Sequence, residues 1–169
     1  ASAVSVETMQ GNHLYDLICS ATPEPDRLFA VLIDGRRLTY RELKEVSGRF
    51  AAALRRLGVG VGDRVAVQVE KSVEALALYI ACLRCGAIFA PLNNAYTIAE
   101  IGYFLADADP ALFVCDPARL DAPGTPLAHA PFPIVTLGAA GDGSLADLAR
   151  ECSAEFDNAQ AGPRSDRMS

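Results

Sequence analysis

The chain has 169 residues, 51% of them hydrophobic and 21% charged, enough apolar surface for one core, which excludes wholesale disorder. The net charge is −6, and the excess of acid falls in residues 85–169, while residues 1–84 are nearly balanced. An acidic surface repels phosphate backbones and disfavours a general nucleic-acid binder.

Residues 1–10 lack the basic start and apolar centre of a secretory signal. Residues 1–8, ahead of Met9, are set apart as disordered or added sequence. Asn12–Ser20 reads as a short amphipathic helix with Leu14, Leu17 and Ile18 on one side. Thr22-Pro-Glu-Pro-Asp26 breaks it. The apolar run Leu28–Ile33, the Asp34-Gly35 pair and Arg36–Leu38 then spell a tight hairpin.

Thr39 opens a well-marked helix. Thr39 and Glu42 have the spacing of a capping box, and Leu38 with Leu43 that of a hydrophobic staple. Tyr40, Leu43, Val46, Phe50, Leu54 and Leu57 form its apolar stripe, and Gly58 is a left-handed stop. Gly58-Val-Gly-Val-Gly62-Asp63 resembles a dinucleotide loop only superficially. That loop must follow a strand and open a helix, whereas this one follows a helix and opens the strand Val65–Val69.

Ser72 caps a second helix that runs to about Cys85, with Gly86 as its stop. Strand Ile88–Leu92 follows. Together these form the most apolar stretch, Val73–Leu92, long enough to cross a bilayer, but Glu74, Arg84, Gly86 and Pro91 interrupt it. Thr97 and Glu100 form a second capping box, stapled by Tyr96 and Ile101. Asp109-Pro110 ends that helix, and strand Ala111–Cys115 follows. Asp121–Pro133 reads as a connection, Pro133–Leu137 as a further strand, and Ser144 with Asp147 as the cap of a last helix to about Cys152. Strands and helices thus alternate, and the strands are aliphatic. The fold class is α/β, a mostly parallel sheet flanked by helices, spanning residues 1–157, with 158–169 as a linker.

The five cysteines are Cys19, Cys82, Cys85, Cys115 and Cys152. An odd number without a signal sequence points to a reducing compartment, the cytoplasm. Cys82 and Cys85 have C-x-x-C spacing at the end of a helix, where the dipole opposes a thiolate, and His13 and His129 stand apart. These thiols read as core residues, and no metal site is expected.

In an open parallel sheet, ligands bind beyond the carboxyl ends of strands. Glu70-Lys71-Ser72, Asn93-Asn94 and Asp116 occupy those places. Lys71 suits a phosphate or carboxylate, or pairs with Glu74 or sits in water. Asn93 and Asn94 suit a ligand or a turn, and Asp116 a turn. Lys71, Asn93 and Asn94 are the substrate-binding candidates. No nucleophile setting, paired carboxylates or glycine-rich phosphate loop with its lysine is present, so no catalytic, cofactor-binding or metal-binding residue is assigned.

Leu38–Pro117 carries, in order, TYREL, LGVGVGDRV, a helix ending RCGA, PLNNAYTIAEIGY and VCD. This run resembles the start of the adenylate-forming acyl-CoA synthetases. VEKSVEAL, LNNAYTIAEIGYFLADADP and VCDP are most similar to the malonate-activating members. The resemblance implies part of the large N-terminal domain of that fold. It implies ATP, Mg2+ and coenzyme A as cofactors of the full enzyme, and a small carboxylic acid as substrate. The acid's carboxylate attacks the α-phosphate to give an acyl-adenylate and diphosphate, and the coenzyme A thiol then displaces AMP. In the family the phosphate loop, acyl pocket and remaining catalytic groups follow this stretch. The resemblance therefore implies that 169 residues alone are inactive, and that the partner is the remainder of the ligase polypeptide. Three other readings stay open: another acyl-CoA synthetase of the same family with a different acyl group, a non-catalytic interaction fragment that pairs with a complementary chain, and a free-standing nucleotide-binding domain.

Overall fold

The computed structural model describes Tyr15, residues 24–120 and residues 126–159. In chain order it contains β1 (Leu28–Val31), β2 (Arg37–Thr39), α1 (Tyr40–Arg56), β3 (Arg64–Gln68), α2 (Val73–Cys85) and β4 (Ile88–Pro91). Then come α3 (Ile98–Ala108), β5 (Leu112–Cys115), a single turn α4 (Pro117–Leu120), a 3-10 turn (Pro126–His129), β6 (Ile134–Thr136) and α5 (Ser144–Arg150). The helix expected over Asn12–Ser20 lies outside the described residues, apart from the buried Tyr15.

Local chemistry sets most of these boundaries. β1 and β2 pair antiparallel around a turn at Gly35, whose φ of +84° suits a residue without a Cβ. Thr39 and Thr97 each accept from the backbone N–H three residues on, while Glu42 and Glu100 reach back to the capping residues' own N–H groups. Both staples form. Leu38 and Leu43 share one buried cluster, and Tyr96 packs on the cluster that holds Ile101. Helix α1 ends in a Schellman motif: Val59 N–H donates to Leu54 O at 3.0 Å and Gly58 N–H to Arg55 O at 3.0 Å.

The main sheet is four parallel strands in the order β4-β3-β5-β6. Helices α1, α2 and α5 cover one face, where Leu54, Leu78 and Leu145 meet Val65, Val67 and Val114. Helix α3 covers the other through Ile101 and Leu105 against Ala66 and Phe113. Strand β5 is buried at all four residues because both its faces are covered. Pro91 lies on the edge strand β4, where a missing N–H costs no ladder bond to a further strand.

The start of the last helix differs from the expectation. Gly143, not Ser144, is the capping residue, and it makes no side-chain cap bond. Ser144 instead faces β6. Its Oγ accepts from Thr136 N–H at 2.9 Å, and Thr136 Oγ1 accepts from Ser144 N–H at 2.9 Å. Asp147 pairs with Arg150. The serine that a sequence reads as a cap is thus a clip between helix and sheet. Replacing Ser144 by Ala should cost about 1–2 kcal/mol in urea unfolding, whereas Asp147→Ala should cost less than about 0.5 kcal/mol.

Candidate functional site

The carboxyl ends of β3, β4 and β5 lie side by side, because these strands are neighbours in one parallel sheet. The expected ligand-facing residues are therefore brought to one edge of the molecule. Their side chains differ in how far they are committed.

Asn93 and Asn94 hold loops. Asn93 Oδ1 accepts from Ala95 N–H at 2.9 Å, and its carbonyl accepts from Gln68 Nε2 at 2.9 Å. Asn94 Nδ2 donates to Val69 O at 3.1 Å, tying the loop after β4 to the loop after β3. Arg119, on α4, donates to the carbonyls of Asn94 and Tyr96. Asp116 Oδ1 accepts from Ala118 N–H at 2.9 Å and starts that single helical turn. These bonds fasten three consecutive strand ends to one another.

Lys71 differs. It is exposed and makes no ion pair among the described residues, with Glu74 or with any other acid. It stands beside Ser72, whose Oγ caps α2 by accepting from Ala75 N–H at 3.0 Å. Both line an open cleft of about 560 Å³ between α2 and the hairpin. Leu32, Ile33, Leu38 and Leu76 form its apolar wall; Arg36 and Asp34 also line it but pair with each other at 4.0 Å, which leaves Lys71 as the cleft's unbalanced charge. Such a cleft suits an anionic group carried on an apolar body.

Sequence reasoning missed three polar residues. Arg119 left no sequence signal. Gln68 is 1% exposed at the end of the central strand, and its Oε1 has no hydrogen-bond partner among the described residues. Arg84 is 2% exposed. It sits four residues after Ile80 and seven after Ala77, on the buried side of α2, so helical spacing alone could have located it.

The thiols are core residues. Cys82, Cys85, Cys115 and Cys152 are free and buried. Burial pushes the Cys85 thiol up to about 11, against the opposing pull of Arg55 and Arg84. Burial, then Asp116, pushes Cys115 up to about 11, and burial raises Cys82 further still. Among the described residues no three His, Cys, Asp or Glu side chains come together to hold a metal ion. One lysine and a set of amides already bonded to the backbone do not by themselves make a nucleotide–magnesium site.

Residues 19–163 match the family model described as AMP-binding enzyme, and the chain belongs to that family. It is 41% identical to MatB from Rhodopseudomonas palustris, with a TM-score of 0.83 over 91% of this chain and 30% of MatB, in both the apo and the ATP-bound crystal structures. It is 34% identical to a probable CoA ligase, CCL9, from Humulus lupulus, over 64% of this chain and 21% of that protein. It is also 34% identical to the fatty acid–[acyl-carrier-protein] ligase ScoC from Streptomyces coeruleorubidus, over the same shares. The chain thus spans between a fifth and a third of the length of these relatives. The fold is the α/β fold of part of the N-terminal domain of such ligases. No helix among the described residues is long and apolar enough to cross a membrane.

At pH 8 a thiol reagent should leave Cys82, Cys85, Cys115 and Cys152 unmodified in the folded chain and label all four in urea, read by peptide mass. The raised thiols also give stability a direction with pH. Unfolded thiols ionise near their ordinary 9.0 and folded ones near 11, so the folded state loses stability as pH rises through that window.

Proposed function

We propose that this chain is the N-terminal part of an ATP-dependent acid–thiol ligase, specifically a malonyl-CoA synthetase. The observation that carries the reading is the 41% identity to MatB across 91% of the chain, at a TM-score of 0.83. The segments Val69–Leu76, Leu92–Pro110 and Val114–Pro117, which resemble malonate-activating family members, support the same choice. The relatives' greater length supports a part rather than a whole, as does exposed apolar surface: Tyr103 is 80% exposed on α3 and Ile88 49% exposed on the edge strand.

In this reading the segment is scaffold. It presents a row of strand ends to the rest of the polypeptide, which supplies the groups for ATP, Mg2+ and coenzyme A. The bound metal and nucleotide would offset the charge that builds on the phosphates and on a dianionic substrate. Lys71, with its charge uncommitted, is assigned to an anionic group of the substrate or nucleotide across the cleft. Asn93 and Asn94 are assigned to holding the loops that border it. The free thiols fit a reducing cytoplasm. Residues 1–157 are assigned to the subdomain and 158–169 to a linker.

The test is a panel of carboxylic acids offered, with ATP and Mg2+, to the full polypeptide that carries this chain. Malonate should give AMP and diphosphate with coenzyme A as acceptor. Preference for a monocarboxylic acid would move the protein to another acyl-CoA synthetase. Transfer to a carrier protein alone would align it with the second 34% relative. No AMP with any acid would leave the interaction-fragment reading. Lys71→Ala should raise a substrate KM about three- to tenfold with kcat near wild type; an unchanged KM for both ATP and acid removes Lys71 from the site.

A further inference from the structure

Between α5 and residue 159 the chain has no regular structure, yet it is strongly held. Arg84 Nε donates to Asn158 Oδ1 at 2.7 Å, and Arg84 Nη2 donates to Phe156 O at 3.2 Å. In return, Ala159 N–H donates to the Arg84 carbonyl at 2.8 Å. The same guanidinium reaches α1 through Nη1, which donates to Lys44 O at 2.9 Å and Ser47 Oγ at 3.0 Å. Arg55, also on α1, lies over the Phe156 ring at 4.1 Å and donates to Asp157 O at 3.0 Å. The Phe156 ring is within cation–π reach of both arginines. Gly48 lets the strap come close, since a Cβ there would collide with the Ala154 carbonyl oxygen.

A buried guanidinium needs acceptors on all its edges, and here they come from two separate parts of the chain. If the strap moves, Arg84 loses its bonds to Asn158 and Phe156, and Ala159 loses its bond to the helix. The bonds that satisfy the buried charge therefore also determine where the chain leaves the domain.

We infer that Arg84 is a positioning residue that pins segment 154–159 to the α1–α2 pair, so that the polypeptide built beyond it stands in one orientation to the strand ends. The pin itself stands on the hydrogen bonds above; its consequence for catalysis rests on the ligase reading. Asn158 is the lever for a test, because it is the strap's own half-buried side chain and removing its amide leaves the core intact. In the full polypeptide, Asn158→Ala should speed hydrogen exchange of the peptide covering 154–159 about tenfold. Exchange in α1 and α2 should be unchanged, and Tm should move by less than about 2 °C. It should also lower kcat/KM for ATP in malonate-dependent diphosphate exchange about tenfold. Asn158→Asp keeps the Oδ1 acceptor and should restore both readouts. Arg84→Lys keeps the charge but loses the fork, and should loosen the strap as Asn158→Ala does. Unchanged exchange at 154–159 in Asn158→Ala overturns the pin. Faster exchange with unchanged kcat/KM overturns the positioning role, as does loss of protection spread over α1 and α2 with a large fall in Tm. A wild-type polypeptide without ligase activity overturns the proposed function, and the exchange measurement then decides the pin by itself.

Discussion

One buried cation ties this structure together. Arg84 lies on the buried side of the largely apolar helix α2, yet its guanidinium is bonded to Lys44 O, Ser47 Oγ, Phe156 O and Asn158 Oδ1. The Tyr15 ring lies 4.7 Å from it. Bringing a charge out of water costs several kcal/mol, and only a full set of acceptors offsets it. The folded arrangement of α1, α2, Tyr15 and the strap supplies that set. An alternative packing that separated any of these would strand either the charge or the carbonyls. The same helix is anchored on its other sides by ordinary apolar contacts, so Arg84 adds specificity of arrangement to a core already filled by Leu54, Leu78 and Val65.

The sheet has a different role. Its four parallel strands bring the loops after β3, β4 and β5 to one edge, and Gln68, Asn93, Asn94, Asp116 and Arg119 use their polar groups to hold those loops. Residue types that would suit a ligand are mostly consumed in making a rigid rim. Lys71 and the cleft beside it are the part of the rim left open to chemistry. Membership of the AMP-binding enzyme family and the match to part of MatB agree with a scaffold of this kind, one that supports a larger site.

Much of the fold was legible in the sequence because its signals are local. Capping boxes at Thr39 and Thr97 and the glycine stops at Gly58 and Gly86 each act within a few residues, and each forms as read. The hairpin also forms, but with a longer loop, its turn centred on Ile33 and Asp34 and closed by Gly35 N–H donating to Leu32 O. The parallel sheet was legible because aliphatic strands alternate with helices. Ser144 was misread because the sequence shows a serine before a helix but not the strand lying opposite it. The commitments of Asn93 and Asn94 were open for the same reason, since Gln68 and Val69 are far from them in sequence. Arg84 was read as a break in an apolar run, when its position on the buried stripe meant that its partners had to come from elsewhere in the chain. Local order can be read from spacing; polar partnership across the fold cannot.

The most direct test is a crystal structure of the full polypeptide with ATP and malonate bound. The account predicts the strand order β4-β3-β5-β6 unchanged, Arg84 within hydrogen-bonding distance of Asn158, and the nucleotide phosphates held mainly by residues outside 24–159. Phosphates held mainly by residues within 24–159, with the strap released from Arg84, would contradict it.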